Sequence, residues 1–382
     1  MRIERGIGML ALASVMSLGC SKHSPTAPTA PVTLATAIES ARARHNLPAI
    51  AAASFTEDSI EVAVCGIRRV GSSAAVTEAD LFHIGSNLKA MLATAIGGLV
   101  EQGTLSWSLT MADAFPELDA TMDPGFRNVT LAQLLQHRGG VPAFTELTDF
   151  ASLPAFTGDV TAQRLAFARY LLTRPPAGAS GAYLYSNAGY AVAAAIAERR
   201  AGASWDALVR TRVLDPLGVN LFVGWPLDAG PNQPCGHVMA GHVLTPTAPS
   251  AGSVPALIAP AGDASFTVRD YARFAQLHLR ALGGRPSLLA DSTFRMLQTP
   301  SGDYAMGWAV LGAAPSVVLT HDGSAGTFYA FVALNQAKHH GYAFITNAVT
   351  PEVDAAFSEI LTTLAPGTAP ASIAYSRASG AR

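Results

Sequence analysis

The sequence predicts an α+β fold, an α/β sandwich. One antiparallel sheet is built from both chain ends and flanked by helices, with an inserted, mostly helical lobe. Three observations carry this. Strand-like runs cluster at residues 49–67 and again at 305–345. Residues 107–220 read mostly in helical period. A further apolar helix stands at each extreme of the domain, near residues 34–45 and 351–364. The seam between the lobes is where a cleft would form.

Composition bounds the problem. The chain has 382 residues, 49% hydrophobic and 14% charged, enough for a sizeable core and two lobes. Net charge is −2, and no basic run is longer than Arg68-Arg69 or Arg199-Arg200, so nothing suggests a nucleic-acid partner and none is expected. The cysteines are Cys20, Cys65 and Cys235, without a C-x-x-C pair, so no zinc framework is indicated. Cys65 and Cys235 would be free to pair in an oxidising compartment, but spacing alone does not decide whether they meet.

Residues 1–20 read as an export signal: Arg2 and Arg5 precede an apolar run, Ile7 to Leu18, ending at Gly19-Cys20. The end of that run resembles a bacterial lipoprotein cleavage site. Ser17 and Leu18 depart from the usual pattern, and ordinary cleavage nearby or an uncleaved anchor is the alternative. A lipidated Cys20 would tether an exported, periplasmic protein to the membrane surface. No later run is long and apolar enough to span a bilayer. Residues 21–33 are a Pro/Thr/Ala linker.

The folded domain is expected over 34–365, with a sheet lobe from about 34–85 and 262–365 and a helical lobe from about 86–261. Leu34, Ala37, Ile38 and Ala41 mark the inner face of a first helix. Ala49–Phe55 and Ile60–Ile67, joined by Thr56-Glu57-Asp58-Ser59, read as a hairpin. From Gly85-Ser86 the apolar positions Leu88, Met91, Leu92, Ala95, Ile96 and Leu99 form one helical stripe, stopped at Gly103. Ser86 would cap that helix. Thr130 opens a short helix that ends at His137-Arg138-Gly139-Gly140. Helices follow at 162–172, 188–201 and 204–213, with Gly202 between the last two. Residues 226–260 are rich in Pro, Gly, Ala and Ser and read as an irregular excursion. A helix over 267–282, four strand-like segments and a helix over 351–364 complete the domain. The tail, 366–382, is low-complexity and expected to be disordered.

Three stretches carry candidate chemistry. Lys89 follows Ser86 by three residues, one helical turn along, on an otherwise apolar face. A neutral amine there can take a proton from the serine hydroxyl; a capped helix with a snorkelling lysine is the bland alternative. Tyr185-Ser186-Asn187 offers a phenol and an amide two residues apart, ahead of an Ala-rich helix. Tyr185 would serve as base or proton relay, and Asn187 as donor to a substrate carbonyl; a turn with an aromatic anchor explains the same residues. His321-Asp322-Gly323-Ser324 lies between two late strands, where glycine lets a substrate backbone approach an edge strand. Ser324 is not read as a nucleophile, because Asp322 replaces the first glycine of G-x-S-x-G and a strand follows. His237, His242 and His339-His340 lack partners at metal-ligand spacing, so no metal is expected.

Taken together, these stretches resemble the serine β-lactamase and penicillin-binding-protein superfamily, on the branch holding AmpC-type β-lactamases, D-amino-acid peptidases and related esterases. Ser86-Asn87-Leu88-Lys89 matches S-x-x-K, Tyr185-Ser186-Asn187 matches Y-x-N, and His321-Asp322-Gly323 takes the place of K-T-G or H-x-G. Flanking landmarks include Leu134-Leu135-Gln136-His137, Pro176-Ala177-Gly178, Asp215-Pro216-Leu217-Gly218 and Gly307-Trp308. The resemblance implies a β-lactamase/transpeptidase-like fold and a serine hydrolase that needs no cofactor. In it Ser86 is acylated, and Lys89 and Tyr185 share the proton traffic, with the formal base left open. Asn187 orients substrate and Lys89. The backbone N–H groups of Ser86 and Ser324 would form an oxyanion hole, with Gly323 beside them.

The family's β-lactamases carry lysine where this chain has His321. A histidine is largely neutral at pH 7, so β-lactam hydrolysis is disfavoured. An ester or D-amino-acid-like peptide substrate gains. The competing readings are a peptidoglycan- or β-lactam-binding sensor with little turnover, and a metal-dependent hydrolase in the irregular segment.

Overall fold

The strand Ala49–Thr56 shows how the sequence builds two cores at once. Its side chains alternate across the pleat. Ala49, Ala51, Ala53 and Phe55 enter one buried cluster, and Ile50 and Ala52 enter another. The computed structural model describes residues 32–247 and 254–365. The expected signal with Cys20, all but the end of the linker, and the tail fall outside the described residues.

Six strands form one antiparallel sheet in the order Ile60–Gly66, Ala49–Thr56, His340–Thr346, Tyr329–Asn335, Val318–Ser324, Ala309–Leu311. Its middle joins the two chain ends, with Ile50 opposite Thr346 and Phe55 opposite Gly341. On one face, Ile50, Ala52, Phe331 and Phe344 pack with Leu34 and Ile38 of helix Leu34–Arg44 and with Phe357 and Ile360 of helix Val353–Leu364. The other face packs Ala51, Val332 and Ile345 with Phe274 of helix Val268–Leu282 and with Met91 and Ile96 of helix Leu88–Glu101. The expected sandwich is therefore observed.

Helices Val160–Leu172 and Asn187–Ala201 pack together in the helical part. Ser186 caps the second through its hydroxyl, which accepts from Gly189 N at 2.7 Å, and Gly202 ends it in the left-handed region at φ 65°.

Three local expectations are corrected, and one helix is new. Ser86 is not a side-chain cap; Gly85–Asn87 is a tight 3-10 turn that runs into the helix at Leu88. The 226–260 stretch carries a hairpin, His237–Ala240 with Val243–Pro246, tied to Ala348–Val349. Residues 320–324 belong to a strand, because Thr320 to Ser324 pair with Tyr329 to Ala333. Helix Asp291–Gln298 was not read from the sequence. Cys65 and Cys235 are both free thiols.

Candidate active site

Two backbone devices present Ser86. A three-stranded sheet, Phe82–His83, Ala264–Phe266 and Phe222–Val223, holds the approach, and Ile84 N donates to Ala264 O at 2.9 Å. Gly85 then turns the chain at φ 52°, where a Cβ would lie 2.5 Å from Ser324 N. The Asn87 amide pins the turn to the large sheet, donating to Ile84 O at 3.0 Å and Ala330 O at 3.3 Å. Gly323 presses on the same turn from the sheet side; a Cβ there would lie 2.7 Å from Ser86 N. The Ser86 and Ser324 backbones are thus brought side by side.

Lys89 is fully buried beneath Ser86. Its Nζ lies 2.9 Å from Ser86 Oγ, 2.8 Å from Asn187 Oδ1 and 2.8 Å from Ala261 O. The Asn187 amide is fixed in that sense because its Nδ2 donates to Phe144 O at 3.0 Å. Asn187 Oδ1 and Ala261 O only accept. Nζ donates to all three oxygens; loss of one proton would leave Lys89 two hydrogens for Asn187 and Ala261 and a lone pair for the Ser86 hydroxyl. Burial drives the Lys89 pKa well below its ordinary value, partly opposed by the negative charge of Asp322.

Tyr185 closes the other side. Its ring centroid is 4.8 Å from Lys89 Nζ, and its buried hydroxyl interacts with Ser86. Burial raises the phenol's pKa, and the contact with Ser86 pulls the other way.

Ser86, Tyr185, Asn187, Gly323 and Ser324 all line one cleft of about 880 Å³. His321 does not. It lies off the wall, 3% exposed. Its Nδ1 donates to Asp322 O at 2.5 Å, so its Nε2 accepts from Tyr304 OH at 3.0 Å. Burial, reinforced by Lys89, lowers its pKa to about 3. The expected substrate contact through His321 is thus not made by this arrangement, and Asp322 lines the cleft instead. The Ser324 hydroxyl is consumed within its hairpin, donating to Phe328 O at 2.8 Å.

The match to known proteins agrees with this geometry. Residues 34–365 fit the family model described as Beta-lactamase. The chain belongs to the β-lactamase family. Among its relatives, penicillin-binding protein 4 of Amycolatopsis lactamdurans is 28% identical over 322 residues, 80% of this chain and 82% of that protein. The β-lactamase of Escherichia coli K12 is 25% identical over 276 residues, 70% of this chain and 67% of the relative. The fold is shared with the octameric penicillin-binding-protein homologue of Pyrococcus abyssi, at TM-score 0.71 and 21% identity over 88% of this chain and 77% of that one. It is shared too with D-amino acid amidase of Ochrobactrum anthropi, at TM-score 0.67 and 20% identity over 87% and 98%. This member of the serine β-lactamase and penicillin-binding-protein superfamily is therefore a serine β-lactamase-family hydrolase.

Several site residues escaped the sequence reading. His137 was read as the end of a helix and part of a flanking landmark, with no role in the site, yet it holds the Tyr185 loop. Its Nδ1 accepts from Ser186 N at 3.1 Å, and its ring lies 4.2 Å from that of Tyr185. Burial keeps it neutral, with Lys89 and His321 acting in the same sense. Arg164 and Glu198 form a fully buried pair at 2.6 Å. Arg164 also donates to Ala256 O at 2.9 Å and Leu257 O at 3.2 Å, anchoring the segment whose Val254, Pro255 and Ile258 line the cleft. A capped N-terminus or an S-x-x-K spacing is local; these partners are about 34 to 93 residues apart and carry no local pattern.

Proposed function

We propose that this β-lactamase-family protein hydrolyses an ester or amide through an acyl-enzyme on Ser86. The observation that carries the reading is the 2.9 Å approach of Lys89 Nζ to Ser86 Oγ, with Nζ held in place by the acceptors Asn187 Oδ1 and Ala261 O. As Oγ attacks the carbonyl carbon, its proton passes to Lys89 Nζ. The developing oxyanion is received by the Ser86 and Ser324 N–H groups, each worth about 3 kcal/mol if lost. The tetrahedral centre collapses to the acyl-enzyme and expels the leaving group, which takes a proton from the buried, protonated Tyr185; the Lys89 ammonium restores it. Water then repeats the sequence and frees the acid. In this reading Lys89 is the base. The same burial that favours its neutral amine disfavours a Tyr185 phenolate.

The replacement of the family's lysine by a neutral, inward-facing His321 supports an esterase or peptidase over a β-lactamase. Export rests on residues 1–20 and would place the reaction in the periplasm, with Cys20 as a membrane tether. Turnover of p-nitrophenyl acetate, followed with intact mass, tests the function. Wild type should release p-nitrophenol and carry a transient acetyl adduct; Ser86→Ala should do neither. An adduct retained on Ser86→Ala ends the assignment. Long-lived acylation by penicillin without turnover of any ester would favour the binding-protein reading.

A further inference from the structure

His83 is fully buried three residues before the nucleophile, and its ring ties two backbone segments together. The imidazole stacks on Trp225, with centroids 4.2 Å apart and planes 10° from parallel. Gly85 N donates to His83 Nδ1 at 3.3 Å, so Nδ1 carries no proton. The ring's proton is then on Nε2, which donates to Asp263 Oδ1 at 3.4 Å. Both ends of this link reach the site. Gly85 is the turn at φ 52° that presents Ser86. Asp263 adjoins Ala261 and Gly262. Ala261 O accepts from Lys89 Nζ at 2.8 Å, and a Cβ on Gly262 would lie 3.3 Å from Ser86 N. One carboxylate and one ring thus join the turn that carries the serine to the segment that holds its amine.

We propose that His83 and Asp263 are a positioning pair for the nucleophile: the imidazole, stacked on Trp225, fixes the Ser86 turn against the 261–263 segment and so sets the separation of Ser86 Oγ and Lys89 Nζ. Neither side chain is among the described residues lining the cleft, so both act through the backbone. Glycine at positive φ is the most permissive of backbone positions, and Gly85 has no side chain of its own to hold it. The His83 ring supplies the hold from outside. Lys89 Nζ is bonded to Ala261 O as well as to Ser86 Oγ, so a shift of the turn relative to that carbonyl alters the 2.9 Å contact. Proton transfer needs a separation of about 2.6–3.2 Å, and a misplacement near 1 Å costs on the order of 100-fold in rate.

The proposal rests on Ser86 being the nucleophile, and the test separates the two. Acylation by p-nitrophenyl acetate is followed by stopped flow. Each rate is normalised to the enzyme that forms an acetyl adduct, so unfolded protein does not count. Asp263 is 16% exposed, and Asp263→Ala should fold and acylate about tenfold more slowly. Asp263→Asn keeps an acceptor for His83 Nε2–H and should recover most of that loss. His83→Ala frees both ends and should lose about 100-fold. Adding Asp263→Ala to His83→Ala should slow it no further, because the carboxylate acts only through the ring. Where His83→Ala loses its native near-ultraviolet circular dichroism, His83→Asn replaces it. That variant keeps an acceptor for Gly85 N but does not reach Asp263, so it should match Asp263→Ala and be insensitive to adding it. Wild-type acylation in Asp263→Ala or in the His83 variant overturns the pair. So does Asp263→Asn as slow as Asp263→Ala, or losses that multiply in the double variant. Equal rates in wild type and Ser86→Ala overturn the reading beneath it instead.

Discussion

Lys89 Nζ stands 4.8 Å from the centroid of the Tyr185 ring, and their shared burial moves the two proton affinities in opposite directions. Removing water penalises whichever form is charged: the ammonium of one, the phenolate of the other. Burial thus favours an amine and a phenol, one able to take a proton and the other to give one.

This sets the pH dependence. kcat/KM should rise with pH as Lys89 loses its proton, with a midpoint well below the ordinary lysine value of 10.5. Asp322 opposes the shift by favouring the ammonium. Asp322→Asn should therefore move the rising limb to lower pH, read on a neutral ester. Lys89→Met should remove the limb and lower kcat about 10²- to 10⁴-fold while near-ultraviolet circular dichroism stays native. A limb that persists in Lys89→Met would assign the titration to another group.

Gly323 should tolerate no side chain. Its Cβ would intrude on Ile84 O and come within 2.7 Å of Ser86 N. The sheet and the serine turn would have to part, and a displacement near 1 Å at the reacting atoms costs on the order of 100-fold in rate. Overpacking of this kind costs about 1–3 kcal/mol of stability. Gly323→Ala should therefore lose about 100-fold or more in acylation rate while still folding. Stopped-flow acylation together with thermal unfolding checks both; wild-type acylation in Gly323→Ala would show that the contact does not set the serine geometry.

What the sequence disclosed follows the range of each interaction. The Ala49–Phe55 alternation, the stripe from Leu88 to Leu99 and the Thr130 cap are local, and each produced an element close to where it was expected. The reach of Lys89 across to Asn187 was legible only through the resemblance, because those residues are 98 positions apart. The facing of His321 was not legible. Register decides which side chain of a strand turns to the cleft, and one residue's difference puts Asp322 there and His321 in the interior. The strand itself was underread because its glycine and serine resemble a loop, whereas pairing with Tyr329 to Ala333 overrides that preference.

Buried histidines should make the fold acid-labile. Burial lowers His278 and His321 each to about 3, against 6.5 for an ordinary histidine. Below about pH 6.5 the unfolded chain takes up protons that the native state refuses, so stability falls with pH until about pH 3. Each site contributes about 1.4 kcal/mol per pH unit across that window. His278 sits among Phe274, Phe294 and Trp308, with Thr94 Oγ1 at 3.1 Å from its Nε2. His278→Gln keeps a polar partner for Thr94 without a titrating ring. Urea unfolding between about pH 4 and about pH 6 should show a slope shallower by about 1.4 kcal/mol per unit than wild type. An unchanged slope would mean that His278 is protonated in the native state.

The Arg164–Glu198 pair separates stability from cleft shape. Both side chains are almost wholly buried, and Glu198 also accepts from Trp205 N at 2.9 Å. Burial raises the Glu198 pKa and the Arg164 charge holds it back. Arg164→Met strands a buried carboxylate, which should cost about 3–5 kcal/mol. Adding Glu198→Leu removes the stranded charge, and most of that stability should return, because an apolar pair of similar volume often replaces a buried ion pair at little cost. The cleft should not recover with it. Arg164 also donates to Ala256 O and Leu257 O, and neither methionine nor leucine can replace those bonds. The double variant should therefore unfold near the wild-type urea midpoint yet show a KM raised several-fold with little change in kcat, since the Val254–Ile258 wall is loosened and the Ser86–Lys89 contact is not. If KM recovers together with stability, the guanidinium serves only to balance Glu198, and the wall is held by its own packing.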